Sequence, residues 1–230
     1  MYLIIIVVAV ISYLIGSINF SILLSKAISG KDIRESGSGN AGATNMLRTH
    51  GKKMGVITLL LDVLKGVVAI LFAIFVVQLL NQYRLVSFPT SLAQTAPLPE
   101  MIDIMPVKYL AGVCVILGHN FPLYFGFKGG KGVATSLGVV LMLDWKVGLI
   151  VAVFAIAIMA ITRYVSLGSI IGGAAFIIAE FAKAFITHEY NAVQLVCVVI
   201  IGGLLIARHH ANISRLIHGT ENKLSFKKSN

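Results

Sequence analysis

Runs of apolar residues, separated by short polar segments, recur from one end of the chain to the other. Apolar residues make up 57% of the 230 residues and charged residues only 12%. That charged share is about half of what a soluble domain carries. The core of a 230-residue protein cannot bury this many apolar side chains. The pattern therefore predicts a protein surrounded by lipid.

Seven of these runs are candidates for membrane spans, because roughly 20 helical residues cross the hydrocarbon core of a bilayer. The N-terminal run has no preceding basic residues and reads as a first transmembrane helix, not as a cleaved signal peptide. The sequence therefore predicts an all-α integral membrane protein with seven transmembrane helices in a single domain over residues 1–230. The predicted spans are about 2–25, 54–80, 107–117, 132–143, 147–161, 167–185 and 192–207.

Basic residues are distributed unevenly between the polar segments. Most of the 19 Lys and Arg residues lie in segments 26–53, 118–131, 162–166 and 208–230, which seven spans place on one side of the membrane. The exceptions are Lys65, inside a span, and four residues on the other side: Arg84, Lys108, Lys146 and Lys183. Basic loops stay cytoplasmic, so we expect the N-terminus outside and the C-terminus in the cytoplasm. The net charge of +10 is explained by this topology, by an anionic substrate, or by both.

The segment from Ser36 to Arg48 is rich in Gly, Ser, Asn and Thr, unlike its apolar surroundings. Consecutive backbone N–H groups in such a turn bind anions, and an Arg side chain suits phosphate. The spacing of Gly37, Gly39 and Gly42 matches a dinucleotide-binding fingerprint, but no βαβ unit is available, so we exclude that function. Candidate binding residues in this segment are Ser38, Gly39, Asn40, Gly42, Thr44, Asn45 and Arg48.

Two further polar segments on the same predicted side carry candidate residues. The stretch 118–135 contains His119, Lys128 and Lys131, and a helix beginning at Gly132 would direct its positive end toward both lysines. The tail contains His209 and Asn212, and Ser166 lies between the fifth and sixth spans. The chain has no His-x-x-x-x-Asp acyltransferase sequence, no Gly-x-Ser-x-Gly elbow and no metal-ligand spacing. We expect no metal, no cofactor and no nucleic-acid partner.

Several of these residues also have a purely structural interpretation. Arg48, Lys128 and Lys131 could be cytoplasmic anchors, although their glycine-rich setting favours phosphate binding. His119 could fix a turn, and Ser166 could cap a helix. Asp62 and Lys65 lie three residues apart inside the second span, either as a buried structural pair or as a border of the active cavity.

The three polar segments together resemble the motifs of the acyl-phosphate:glycerol-3-phosphate acyltransferases, the bacterial PlsY family. The resemblance extends over essentially the whole chain and includes Asp62-x-x-Lys65-Gly66 and Arg163-Tyr164-x-Ser166-Leu167. In the third motif the family usually has Arg where this chain has His210. The motif segments are Ser36–Arg48, His119–Thr135 and His209–Lys223.

The resemblance implies a multi-pass enzyme of the bacterial inner membrane with its active site facing the cytoplasm. It would transfer an acyl group from acyl-phosphate to the 1-hydroxyl of sn-glycerol 3-phosphate, giving lysophosphatidic acid and phosphate in phospholipid synthesis. Its partners would be these two substrates, membrane lipid and an upstream enzyme that forms acyl-phosphate. The alternative from another class is a transporter of an anionic metabolite, but all unusual loops lie on one predicted face.

An acyl-phosphate is already activated, so the expected mechanism is direct attack without an enzyme nucleophile. In this interpretation Arg48, Lys128, Ser166 and Asn212 hold the acceptor phosphate. Ser38, the backbone of residues 39–42 and Lys131 hold the donor phosphate. His209 orients the acceptor, and the general base is either His209 or the phosphate of the donor.

Overall fold

The computed structural model describes residues 2–86, 101–189 and 191–224, and the regular structure within them is entirely helical. Residues 87–100, between the second and third predicted spans, and the end of the tail with Lys227 and Lys228 lie outside these residues. The α-helices are α1 (Tyr2–Ser17), α2 (Phe20–Ser29), α3 (Ala43–Val86), α4 (Ile104–Asn120), α5 (Val133–Leu143), α6 (Trp145–Thr162), α7 (Val165–Thr187), α8 (Ala192–Ala207) and α9 (His210–Ile217).

Five helical segments of the described chain are long and apolar enough to cross a membrane. Helices α8 and α9 are bent by 53° at the break between them and would form a sixth span together. Helix α5 has 11 residues and is shorter than a bilayer requires. The prediction of an all-α membrane protein is confirmed, whereas the count of seven spans stays a prediction.

The first predicted span, 2–25, is interrupted between α1 and α2. The side chain of Asn19 accepts hydrogen bonds from the backbone of Ile22 at 3.2 Å and from the hydroxyl of Ser21 at 2.7 Å. A side-chain acceptor at this position starts a new helix, because it satisfies a backbone N–H that has no intrahelical partner. Apolar residues continue across the break, so composition alone did not reveal it.

Helix α3 begins at Ala43, well before the predicted start of the second span at 54, and it is broken at Gly51. This residue has φ 83° and ψ 179°, which are outside the helical region. A Cβ atom on Gly55 would lie 2.9 Å from the Cα atom of Leu47. These residues are far apart along a continuous helix, so the chain folds back at Gly51 and the segment with Arg48 packs beside the start of the long helix.

Two helices come into close contact at positions where one of them has a glycine. Gly118 of α4 packs against the backbone of Tyr13 and Ser17 in α1, and Gly66 of α3 packs against the backbone of Thr135 in α5. Small residues let membrane helices approach closely and gain van der Waals contact. The core between α1, α3, α4, α5 and α8 includes Val8, Ile70, Val115, Ile116, Val139, Val198 and Ile201.

The outer helix faces are apolar and exposed, as expected for a surface in contact with lipid. Ile150 of α6 is 68% exposed, Ile178 of α7 is 67% exposed and Phe75 of α3 is 61% exposed. The polar segments meet at one end of the bundle, through the contacts described below. We call this the motif end, defined by residues 30–48, 119–132, 163–166 and 208–224.

Candidate functional site

Asn45 determines the shape of the first polar loop. Its Oδ1 accepts a hydrogen bond from the backbone N–H of Ser38 at 2.9 Å, and its Nδ2 donates to the carbonyls of Ile33 and Ser36 at 3.1 and 2.9 Å. Gly37 has φ 60°, and a side chain on it would collide with the Asn45 amide. Asn45 thus folds the loop from within, while Ser38 and Gly39 remain exposed.

The loop ends at the first turn of α3. Gly42 accepts backbone hydrogen bonds from Asn45 and Met46, both at 3.1 Å, and its own N–H donates to the Asn40 carbonyl at 3.0 Å. Asn40 and Thr44 are half-buried beside it. The N-terminus of α3 therefore lies in the same loop as Ser38, and a helix N-terminus favours a bound anion.

Arg34 connects the first loop to the second, and sequence reasoning did not identify it. Its guanidinium binds the Asp32 carboxylate at two points, 3.0 and 2.8 Å, and donates to the carbonyls of Phe125 and Lys128 at 2.8 and 2.9 Å. The hydrogen bond from Arg34 lowers the pKa of Asp32, against the effect of burial. The Asp-x-Arg spacing was the available signal. The Lys128 side chain itself is exposed.

At Gly130 the first two motifs meet Arg208, the residue directly before the third motif. Its carbonyl accepts two hydrogen bonds from Arg208, at 3.3 Å from Nε and 3.1 Å from Nη2, and its N–H donates to the His119 carbonyl at 3.2 Å. A Cβ atom on Gly130 would lie 2.6 Å from the Ala41 carbonyl oxygen and would also overlap the His119 ring. Only glycine fits between these groups.

A chain of polar contacts joins the second and third motifs. The Lys131 ammonium donates to the Asn212 amide oxygen, and the Asn212 amide donates to Glu221 Oε1 at 2.6 Å. The same carboxylate accepts from the Ser166 hydroxyl at 2.7 Å and from Arg215 Nε at 2.7 Å. The predicted residues Lys131, Asn212 and Ser166 are thus brought together, with Glu221 at their centre.

Glu221 reaches this position because the tail folds back over the turn between α6 and α7. The Leu224 N–H donates to the Arg163 carbonyl at 2.7 Å. Burial would raise the pKa of Glu221, but hydrogen bonds from Ser166, Asn212 and Arg215 lower it below its usual value. Arg215 is the ion-pair partner of Glu221. The interpretation of Ser166 as a helix cap is wrong, since Tyr164 occupies that position and the Ser166 hydroxyl donates to Glu221.

Lys131 lies in a strongly cationic environment. Its pKa is lowered to about 8, first by burial and then by the positive charges of Arg215, Arg208 and Arg48, with Glu221 acting in the opposite direction. The surroundings of Lys131 therefore contain three arginines and one carboxylate. Such a cluster lowers its electrostatic energy when an anion binds.

His209 is buried beside Lys131. It is 3% exposed, and Nδ1 lies 2.7 Å from the Leu205 carbonyl oxygen. Because a carbonyl only accepts, Nδ1 carries the proton and Nε2 is left as an acceptor. Burial lowers the pKa of His209 to about 4, so the ring is neutral near pH 7.

His119 lies under the second loop and is 3% exposed. Its Nδ1 atom is 2.8 Å from the Lys65 ammonium, and Lys65 is 2.9 Å from Asp62 Oδ1. The pair inside the second span is therefore both buried and in contact with a residue of the second motif. The structure thus shows the buried pair, whereas its place at the border of the active cavity stays a prediction.

A narrow apolar groove of about 110 Å³ runs between α5, α6, α7 and α8. Val133, which lines one part of the groove, follows Lys131 and Gly132 directly in the sequence, so this part lies close to the backbone of Lys131. Its lining is otherwise apolar except for Ser136 and Ser169. Within residues 2–86, 101–189 and 191–224, no three His, Cys, Asp or Glu side chains are grouped to hold a metal ion.

Comparison with known proteins assigns the chain to a family. Residues 6–219 match the family described as glycerol-3-phosphate acyltransferase. A glycerol-3-phosphate acyltransferase of Clostridioides difficile strain 630 is 42% identical over 223 residues, which cover 97% of this chain and 97% of the relative. One of Shouchella clausii strain KSM-K16 is 42% identical over 215 residues, covering 94% of this chain and 93% of the relative.

Solved structures agree with this assignment. A crystal structure of PlsY, an integral membrane glycerol 3-phosphate acyltransferase, in its glycerol 3-phosphate form matches with a TM-score of 0.76 and 34% identity, covering 96% of each chain. Its lysophosphatidic acid form matches with a TM-score of 0.72. The predicted resemblance is confirmed, and the chain belongs to the PlsY family of integral membrane glycerol-3-phosphate acyltransferases.

Proposed function

We propose that the enzyme transfers an acyl group from acyl-phosphate to the 1-hydroxyl of sn-glycerol 3-phosphate and releases lysophosphatidic acid and inorganic phosphate. The observation that carries this proposal is the position of Lys131 among Arg48, Arg208 and Arg215, with Glu221 as the counter-charge. Both substrates carry a phosphate, so an excess of cations over carboxylates around Lys131 matches them. The related PlsY structures are in glycerol 3-phosphate and lysophosphatidic acid forms, which supports the acceptor and the product.

The two phosphates would occupy neighbouring positions at the motif end. Arg48, Lys128, Ser166 and Asn212 hold the acceptor phosphate. Ser38, the backbone N–H groups of Asn40 and Ala41 and Lys131 hold the donor phosphate, because the N–H groups of Gly39 and Gly42 donate within the loop. The side chains of Asn40, Thr44, Asn45 and His119 keep these groups in place. The hydrogen bond between Lys131 and Asn212 supports this arrangement, because it joins the two positions.

The reaction would be a direct displacement at the acyl carbon. The acceptor hydroxyl oxygen forms a bond to the carbonyl carbon, and the bond from that carbon to the phosphate oxygen breaks. A group with a pKa of about 4 is a weak base near pH 7. His209 therefore orients the hydroxyl through Nε2, and the departing phosphate takes the proton.

The apolar groove would hold the acyl chain. Its α7 wall runs from Gly168 to Phe176, roughly 12 Å at 1.5 Å per residue. A chain seated there places its carboxyl end beside Val133 and hence beside Lys131. This geometry explains why an acyl transfer between two phosphorylated substrates takes place at a membrane, where the long apolar product stays in the lipid phase.

The enzyme would have seven spans in one domain, with the N-terminus outside, the C-terminus in the cytoplasm and the active site facing the cytoplasm across the bacterial inner membrane. The concentration of basic residues at the motif end supports this orientation. Lys108, Lys146 and Lys183 belong to the opposite side. A cytoplasmic site would receive glycerol 3-phosphate directly and acyl-phosphate from an upstream enzyme that forms it.

The proposal is tested with the purified full-length chain in detergent. We expect phosphate release that requires both acyl-phosphate and glycerol 3-phosphate, and no product from acyl-CoA or acyl carrier protein. Arg48→Ala should abolish turnover while the protein still inserts, and Lys183→Met at the other end should keep it. Transfer from acyl-CoA alone, or uptake of glycerol 3-phosphate into vesicles without acyl transfer, would contradict the proposal.

A further inference from the structure

Lys65 lies inside the bundle, and its ammonium has four polar atoms within 3.2 Å. Nζ donates to the carbonyl oxygens of Gly16 at 3.2 Å and Ile18 at 2.9 Å, and it contacts His119 Nδ1 at 2.8 Å. An ammonium has three protons, fewer than its four close polar neighbours, so these contacts share them. Asp62 Oδ1, at 2.9 Å, supplies the counter-charge. The side chains of Lys65 and Asp62 are 3% and 2% exposed.

This arrangement assigns the tautomer of His119. Because an ammonium only donates, Nδ1 of His119 is the acceptor, and the proton of the neutral ring is on Nε2. Nε2 is the ring atom that faces Gly130, so closely that no Cβ atom would fit there. The orientation of the ring under the loop is therefore fixed from below by Lys65.

Hydrogen bonds hold the loop above the ring from two sides. Gly129 and Gly130 donate backbone hydrogen bonds to the Asn120 and His119 carbonyls, both at 3.2 Å. From the other side Arg208 binds the Gly130 carbonyl. Lys128 and Lys131 flank these two glycines. A shift of the His119 ring therefore moves both lysines relative to Arg208 and the first loop.

We propose that Lys65, with Asp62 as its counter-charge, is a positioning residue that acts through His119 and Gly130 to place Lys128 and Lys131. Lys65 itself touches no substrate. The inference rests on the proposed role of these two lysines in binding the substrate phosphates. It gives the charged residues inside the second span a function in substrate binding, in addition to their contribution to folding.

The alternative hypothesis, that the buried ion pair serves folding alone, predicts a different result. Loss of such a pair lowers the stability and the fraction of active enzyme, and both KM values stay unchanged in the molecules that remain folded. Loss of a positioning residue raises KM for both phosphate substrates. Lys183 and Asp144 form a second Lys–Asp ion pair, with the Lys183 side chain 48% exposed, and serve as a control for the loss of such a pair outside the motif end.

The experiment is a double-mutant cycle on the purified full-length chain, with kcat, both KM values and the thermal unfolding temperature measured for each variant. We expect Lys65→Met and His119→Gln each to lower kcat/KM by about 10- to 100-fold, the size of effect that a displacement of ~1 Å produces. The loss should appear mainly in KM. The kcat/KM of the double variant should be no lower than that of the less active single variant, because Lys65 acts through His119. Lys183→Met should keep wild-type kinetics.

The proposal is overturned if the two single losses multiply in the double variant, or if Lys65→Met lowers the unfolding temperature and leaves both KM values unchanged. Should Lys65→Met fail to fold, Lys65→Arg keeps the charge but places its donors in a planar fork that cannot reproduce the contacts of the ammonium. A folded Lys65→Arg protein with wild-type KM values would also overturn it. Wild-type protein without acyl transfer would instead contradict the proposed function.

Discussion

Arg208 donates two hydrogen bonds to the backbone carbonyl of Gly130, at 3.3 and 3.1 Å. These bonds link the start of the polar tail, directly before the third motif, to the second motif. The guanidinium also lies over the Phe121 ring, with 5.1 Å between Cζ and the ring centroid. A planar fork that both donates twice and stacks cannot be replaced by an ammonium. The position of this side chain is therefore as specific as its charge.

Replacing Arg208 with Lys is the first test of this contact. The charge stays, but one of the two hydrogen bonds and the stacking on Phe121 are lost, so we expect kcat/KM to fall by about tenfold, or ~1.4 kcal/mol of transition-state stabilisation. Phosphate-release kinetics measure the effect. Wild-type kinetics in Arg208→Lys would show that only the positive charge matters at this position.

The lowered pKa of Lys131 predicts a pH-dependent affinity for the donor. At a pKa of about 8, the ammonium loses its charge as the pH rises through this value, and its attraction for phosphate disappears. We expect KM for acyl-phosphate to rise between about pH 7 and pH 9, the range in which a group with this pKa titrates. Steady-state kinetics across this range provide the measurement.

Lys131→Arg is the matched variant for this pH dependence, because a guanidinium stays charged throughout the range. The variant should start from a higher KM, since the contact with Asn212 changes, but its KM should be nearly constant with pH. An equal pH dependence in both proteins would assign the titration to another group.

Glu221→Gln should weaken both the stability and the activity. The carboxylate accepts hydrogen bonds from Ser166, Asn212 and Arg215, and hydrogen bonds to a charged group contribute about 1.5–3 kcal/mol. We expect a loss of stability of this order near neutral pH and a fall in kcat/KM, because Asn212 loses its orientation. Thermal unfolding and phosphate release measure the two effects.

The stability effect of Glu221→Gln should depend on pH. The pKa of Glu221 is lowered below its ordinary value of 4.5 in the folded protein, so its stabilisation is complete above 4.5 and is lost as the pH falls through the lowered pKa. The difference in unfolding temperature between wild type and variant should therefore shrink in acid. A difference that is constant with pH would exclude this carboxylate as the titrating group.

His209→Ala separates the two candidates for the base. If the departing phosphate takes the proton, the variant loses the orientation of the acceptor, so KM for glycerol 3-phosphate should rise more than kcat falls. The pH profile of kcat should keep its shape. A loss that appears almost entirely in kcat would instead identify His209 as the base.

The proposed acyl groove makes a prediction about chain length. Gly172 lines the groove, and Leu at this position would fill it, so Gly172→Leu should raise KM for long-chain acyl-phosphates by at least about tenfold, since each buried methylene contributes ~0.8 kcal/mol. A short-chain acyl-phosphate should be affected little. Gly203→Leu is the control, because a Cβ atom at Gly203 meets no atom within 4 Å. Equal effects of both variants on all donors would argue against the groove.

The local sequence predicted the membrane-spanning character and the residues at the motif end. Long apolar runs can satisfy their backbone only as helices in lipid, so the all-α membrane fold followed from composition and run length. Gly, Ser, Asn and Arg at 36–48 differ so clearly from these runs that the loop could be recognised without coordinates. The bends were harder to predict, because residues on both sides of Asn19 and Gly51 are compatible with continuous helix.

The pattern along the chain therefore determined that lipid surrounds this protein, which segments are polar and which family they resemble. Only the tertiary structure decided which of those polar groups touch. Arg34 reaches Lys128, Lys65 reaches His119, and Glu221 reaches Ser166 across 94, 54 and 55 positions of sequence. Such contacts depend on how helices cross and where they bend. Periodicity identifies helices and their apolar faces, but it does not say which faces and ends meet.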